Sequence, residues 1–283
     1  MIGTAGRIAS FALAAGVTRV AYEGLRRRVA EGRGAPAGHG EPDDGPWTRV
    51  NYAGRAVDLY AGPAVAVGAA VGTGSGPAAF AVLAAGACGA YDDVKGDHRR
   101  GFRAHLAALR GGEVTSGAVK LLGIGAASLV TGALLKERAV DKVLAGVVIA
   151  GTAHLVNLVD VRPGRAGLTV LALGAPGLLR GSLAAAPMGA VTAVLGDDLG
   201  ERTMLGDTGA HALGAAVGSG IAVGNGRIGL AVHAAGLVAA AAWAEWNGGL
   251  GGASSGTGAA SAGAEGAAAG SGGVSAGSGG AEA

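Results

Sequence analysis

Residues 205–214 read Leu205-Gly-Asp-Thr-Gly-Ala-His-Ala-Leu-Gly214, with a single acid, Asp207, set between glycines at the head of an apolar run. An acid at the mouth of a membrane helix is costly, so its presence marks a working position. Three other acidic spots lie at similar apolar boundaries: Asp92 and Asp93 after Gly89-Ala-Tyr, Asp160 closing Asn157-Leu-Val-Asp160, and the pair Asp197 and Asp198. The pattern predicts an all-α, polytopic membrane bundle of about nine transmembrane helices that gathers these acids on one membrane face.

Composition points the same way. Half of the 283 residues are hydrophobic, only 15% are charged, and mean hydropathy is +0.43, on the membrane side of the usual globular range. A net charge of +2 with 4% aromatics leaves no basic, stacking surface for nucleic acid, so that partner is excluded. The single cysteine, Cys88, sits among Ala and Gly and reads as a small residue in a helix interface. The 58 glycines suit close approach of membrane helices, and a genome-wide bias toward Gly, Ala and Arg would enrich them too.

Apolar runs cover residues 1–22, 56–75, 77–91, 116–135, 143–160, 166–179, 181–196, 208–224 and 228–246. Several fall short of the roughly 20 residues that cross a bilayer, which predicts tilted or broken helices. The first run is followed by Arg26, Arg27 and Arg28, a topology signal. Residues 29–55 read as a loop that ends in an interface-seeking segment, and residues 92–110 as a basic loop. If run ends alternate sides, the loops holding the acids carry 14 of the 22 Lys and Arg residues, and the opposite loops carry five. The positive-inside rule then puts the acid-bearing face in the cytoplasm of a multi-pass cell-membrane protein. Residues 1–246 read as one membrane domain. Residues 247–283, nearly all Gly, Ala and Ser, read as a disordered cytoplasmic tail.

Acids at cytoplasmic helix ends suit a hard divalent cation held against a phosphate-bearing substrate. Lys120 suits phosphate oxygens, or a snorkelling position at the interface. Asn157 and Asp160 stand three apart, on one helical face. Asp197 and Asp198 read as solvated loop acids, and the histidines lack the spacing of zinc ligands. Trp47, Trp243 and Trp246 read as interface anchors.

In order, Asn51-Tyr-Ala-Gly-Arg55, Gly89-Ala-Tyr-Asp-Asp93, Val119-Lys-Leu-Leu122, Asn157-Leu-Val-Asp160 and Met204-Leu-Gly-Asp-Thr-Gly209 resemble the motifs of the polyprenyl-phosphate sugar-1-phosphate transferases. That family includes the phospho-N-acetylmuramoyl-pentapeptide transferases, and the resemblance spans residues 45–246. It implies catalytic roles for Asp92, Asp93 and Asp207, with Asp207 and Asp92 at Mg2+ and one of Asp92 and Asp93 taking a proton. It implies that Lys120, Asn157 and Asp160 bind substrate. The partners implied are a polyprenyl phosphate and a UDP-N-acetylhexosamine derivative, in envelope or peptidoglycan precursor synthesis, and a homodimer is allowed. His154, Val161, Pro163 and Ala210 stand where the family has Asn, Gly, a second Asp and Ser. The alternative is a non-catalytic relative serving as a scaffold or binding partner in envelope synthesis. A transporter would need polar groups near the bilayer midplane, which these helix-end acids do not supply.

Overall fold

A computed structural model describes residues 3–32, 45–96 and 102–247. The described residues are mostly helical, 78%, as expected for an all-α chain. Among the described residues ten helices follow in order: α1 Thr4–Gly32, α2 Ala61–Thr73, α3 Gly76–Lys95, α4 Phe102–Arg110, α5 Ser116–Leu135, α6 Ala139–Val159, α7 Arg165–Leu178, α8 Ala185–Leu199, α9 Gly206–Gly224 and α10 Arg227–Trp246. All but α4 lie on the nine apolar runs.

Among the described residues three helices, α5, α6 and α10, are long and apolar enough to cross a membrane. Their outward faces are oily: Leu122, Leu129, Val130 and Leu134 on α5 and Ile228, Val232 and Val238 on α10 are exposed. Such continuous apolar surface is unfavourable in water and fits a membrane. Trp243 and Trp246 are exposed at the end of α10, in keeping with interface anchors. The short helices α2, α7 and α8, at 13, 14 and 15 residues, rise only about 20 Å each at 1.5 Å per residue.

The centre of the bundle is α9. It is apolar on every side and buried without a break from Thr208 to Ser219, as a helix without a polar face must be. Helices α2, α3 and α6 pack round it, α5 fills the angle between α3 and α6, and α1 and α8 close the far side of α2. The α3–α9 contact is tightest beside the acids. A Cβ at Gly89 would overlap the Asp207 carbonyl, so only glycine lets the two backbones meet there. Gly89→Val is therefore expected to force α3 from α9 and to lower stability by about 1–3 kcal/mol, the usual cost of overpacking. A thermal midpoint unchanged from wild type in detergent would contradict this packing.

Four local expectations need correction. The first helix does not end at residue 22 but runs to Gly32, since no proline intervenes and Glu23 pairs with Arg19 at 2.6 Å and Arg27 at 3.4 Å. The segment expected to be an interfacial loop forms a hairpin, β1 Thr48–Val50 against β2 Ala56–Asp58, with Arg49 opposite Val57. Its turn is built by Asn51, whose Oδ1 accepts from the backbone N–H groups of Ala53 and Arg55, both at 2.9 Å. The basic loop contains α4, which His105 ties to the next helix by a 2.9 Å bond to Thr115, the cap of α5. Asp197 and Asp198 are buried within α8 rather than solvated, because each has partners: Asp197 pairs with Arg19 at 2.7 Å and Arg202 at 2.9 Å, and Asp198 accepts from the Gly164 N–H at 2.8 Å. The expected tail lies outside the described residues beyond Asn247.

Candidate active site at the mouth of α9

Four helices bring the site together at the N-terminus of α9. Asp207 is in its first turn, where the orphan backbone N–H groups and the helix dipole favour negative charge. Asp92 and Asp93 end α3, Lys120 lies in the second turn of α5, and Asn157 is near the end of α6. Lys120 does not snorkel outward. Its Nζ donates to Asp92 Oδ2 at 2.6 Å and to Asp207 Oδ2 at 2.5 Å. Asn157 Nδ2 donates to the other oxygen of Asp207, Oδ1, at 2.6 Å.

Asp93 has a different task from its neighbour. Its Oδ1 accepts from the Asp207 N–H at 3.0 Å, and its Oδ2 from the Thr208 N–H at 2.9 Å and the Thr208 hydroxyl at 2.6 Å. That is helix capping from outside the helix, by a carboxylate only 7% exposed. Gly206 makes it possible: its φ of +60° belongs to the left-handed region, and a Cβ there would stand 3.0 Å from Asp93 Oδ2.

Two contributors carried no readable signal. Thr208 supplies the hydroxyl that Asp93 holds, and His211, 4% exposed, donates from Nδ1 to the Asp207 carbonyl at 2.7 Å. His211 stands one turn along α9, an i,i+4 relation visible only once Asp207 is placed at the helix start. Cys88, by contrast, packs against Gly123 across the α3–α5 contact, as its small apolar setting suggested.

Asp160 caps the end of α6 at the rim, outside the Asp92–Lys120–Asp207 network. It shares a cleft of about 20 Å3 with Asn51, Tyr52, Arg162, Pro163 and Asp198. Arg162 lies 5.9 Å over the Tyr52 ring, and the hairpin turn is held down by Asn51 Nδ2 donating to Glu201 at 2.8 Å. Burial pushes the Asp160 carboxyl well above the usual carboxylate range, and the charges of Asp198, Asp207 and Asp93 push it further. A carboxyl whose pKa is raised by folding supports the fold below its unfolded value and withdraws that support as pH rises through the folded value. Asp160→Asn removes this titration. Its thermal midpoint is expected to gain on wild type steadily as pH rises above the ordinary carboxyl range, and a gap that stays constant across pH would contradict the assigned environment.

Among the described residues no three His, Cys, Asp or Glu side chains form a ready-made metal cluster. Mg2+ does not require one, since it is commonly held by one or two carboxylates with water and substrate phosphates completing its shell. Asp92 and Asp207 supply two carboxylates on one centre, so the donor set fits that ion. Compared with known proteins, the chain matches no family model and no curated protein.

Proposed function

We propose that the protein is a multi-pass membrane enzyme that transfers a sugar-1-phosphate from a UDP-N-acetylhexosamine derivative to a polyprenyl phosphate. The observation that carries this reading is the joining of Asp92, Lys120, Asn157 and Asp207, from four helices, at one end of a bundle with apolar outward faces. These residues belong to the motifs that resemble the transferase family. On this reading nine helices cross or enter the membrane and the site faces the cytoplasm, the side that the loop charges favour.

An oxygen of the polyprenyl phosphate attacks the sugar-linked phosphorus of the UDP-sugar. The bridging P–O bond breaks, UMP leaves, and the sugar-1-phosphate stays on the lipid. Mg2+, when bound by Asp207 and Asp92, supplies charge neutralisation on the pyrophosphate. Lys120 reaches from α5 to meet a phosphate oxygen, and Asn157 fixes the Asp207 carboxylate so that its other oxygen is aimed into the site. Asp93 is fully engaged in capping α9, which leaves Asp92 as the carboxylate to accept a proton from the lipid phosphate. Asp160, with Asn51, Tyr52 and Arg162, borders the nucleotide-sugar side.

The test is UMP release by purified protein given undecaprenyl phosphate and a panel of UDP-sugars, with Mg2+ or with EDTA. Lipid-dependent, EDTA-sensitive release is expected. A second reading, a non-catalytic scaffold in envelope synthesis, draws support from Pro163, which stands where the family has a second acid. No release with any sugar, beside an active transferase as control, would favour it.

A further inference from the structure

We infer that Lys120 is a tethered cation that competes with the divalent ion for Asp92 and Asp207, so that metal displaces the ammonium and settles more tightly when a phosphate is there to receive it. The inference rests on the metal reading of the site given above. Its basis is which oxygens are taken. Both Asp93 oxygens serve the α9 N-terminus, and Asn157 holds Asp207 Oδ1. The oxygen that Asp207 has left is Oδ2, and Lys120 Nζ sits on it while also contacting Asp92 Oδ2 at 2.6 Å. The three side chains are only 20–24% exposed, so water screens the pair poorly.

A Mg2+ ion binds carboxylate oxygen at about 2.1 Å. An ammonium on the same two oxygens would be pressed against a dication, and like charges at that range exclude each other. With Lys120 in place the two carboxylates are half neutralised, which weakens their pull on a metal. Once displaced, the ammonium has three donors to satisfy, and the phosphate of an incoming substrate is the acceptor that the proposed reaction supplies. Metal and phosphate therefore bind cooperatively, and the acid pair holds a metal ion less tightly when no phosphate is present.

The test uses the full-length protein in detergent and Mn2+ as the probe, with bound ion counted from the loss of free-Mn2+ resonance. Lys120→Met, once shown to remain folded by size exclusion, is expected to bind Mn2+ about tenfold more tightly than wild type, within the usual range of coupling between ligands. Equal or weaker binding by the folded variant overturns the inference and leaves the metal reading standing. A second measurement needs no variant: acetylation of Lys120 in wild type, read by peptide mass spectrometry, should rise several-fold when saturating Mn2+ replaces EDTA. Unchanged labelling at saturation overturns the inference equally. No Mn2+ binding by either protein removes the metal reading itself, and the inference with it.

Discussion

Asp207→Asn is expected to abolish Mg2+-dependent turnover while the bundle stays folded. The change keeps the shape of the side chain and its place on α9 but removes the charge that Lys120 contacts at 2.5 Å. It also replaces one oxygen with an amide, a poor ligand for a hard dication. Loss of a group that holds charge at the reacting centre costs on the order of 100-fold or more in rate. The fold should persist, because the α9 backbone N–H groups remain capped by Asp93. Steady-state turnover beside a thermal melt separates the two effects. Activity within a few-fold of wild type would remove Asp207 from the site.

Asp93→Ala is expected to fail in the opposite way, through stability first. Three donors converge on this carboxylate, two from the α9 backbone and one from Thr208, in a setting only 7% exposed. Truncation leaves those donors without an acceptor at the start of the helix the bundle is built around. An unsatisfied buried donor costs about 1–3 kcal/mol, and loss of a cap alone about 1 kcal/mol, so a drop of about 3 kcal/mol is expected. Asp92→Ala lacks that role and should melt close to wild type. Equal melting of the two variants would show that neighbouring acids share one task, contrary to the contacts described here.

Much of this is legible in the sequence. Apolar runs of helical length placed nine of the helices, since a bilayer-facing or buried helix must be oily along its length. The motif resemblance names Asp92, Lys120, Asn157 and Asp207 as residues of one site, and the side chains of all four meet; it names Asp160 with them, which lies outside that network. The division of labour between Asp92 and Asp93 was not legible. Adjacent residues on a helix point about 100° apart, and the sequence does not say which of them faces α9. Phe102, Leu106 and Leu109 stand at helical spacing, yet Arg103 among them and Arg99, Arg100 and Arg110 around them make the segment read as loop rather than as α4.

The hairpin was hidden for another reason. Its strands are three residues each, too short for an alternating pattern, and β2 is secured from far away in the chain. Met204 N–H donates to the Asp58 carbonyl at 2.9 Å, and the Thr203 hydroxyl to the Asp58 carboxylate at 2.6 Å. Asp197 and Asp198 read as solvated in the sequence because their partners, Arg19 and the Gly164 N–H, are likewise remote along the chain. Local propensity carries no trace of such long-range pairings.

The most direct measurement of the central claim is the fate of a UDP-sugar labelled with 32P at the phosphate next to the sugar, incubated with the purified protein, undecaprenyl phosphate and Mg2+. The account predicts that the label moves into the lipid fraction as unlabelled UMP is released, and that Asp207→Asn moves none. Label that remains in the water-soluble nucleotide, whether as uncleaved donor or as UDP, would contradict it.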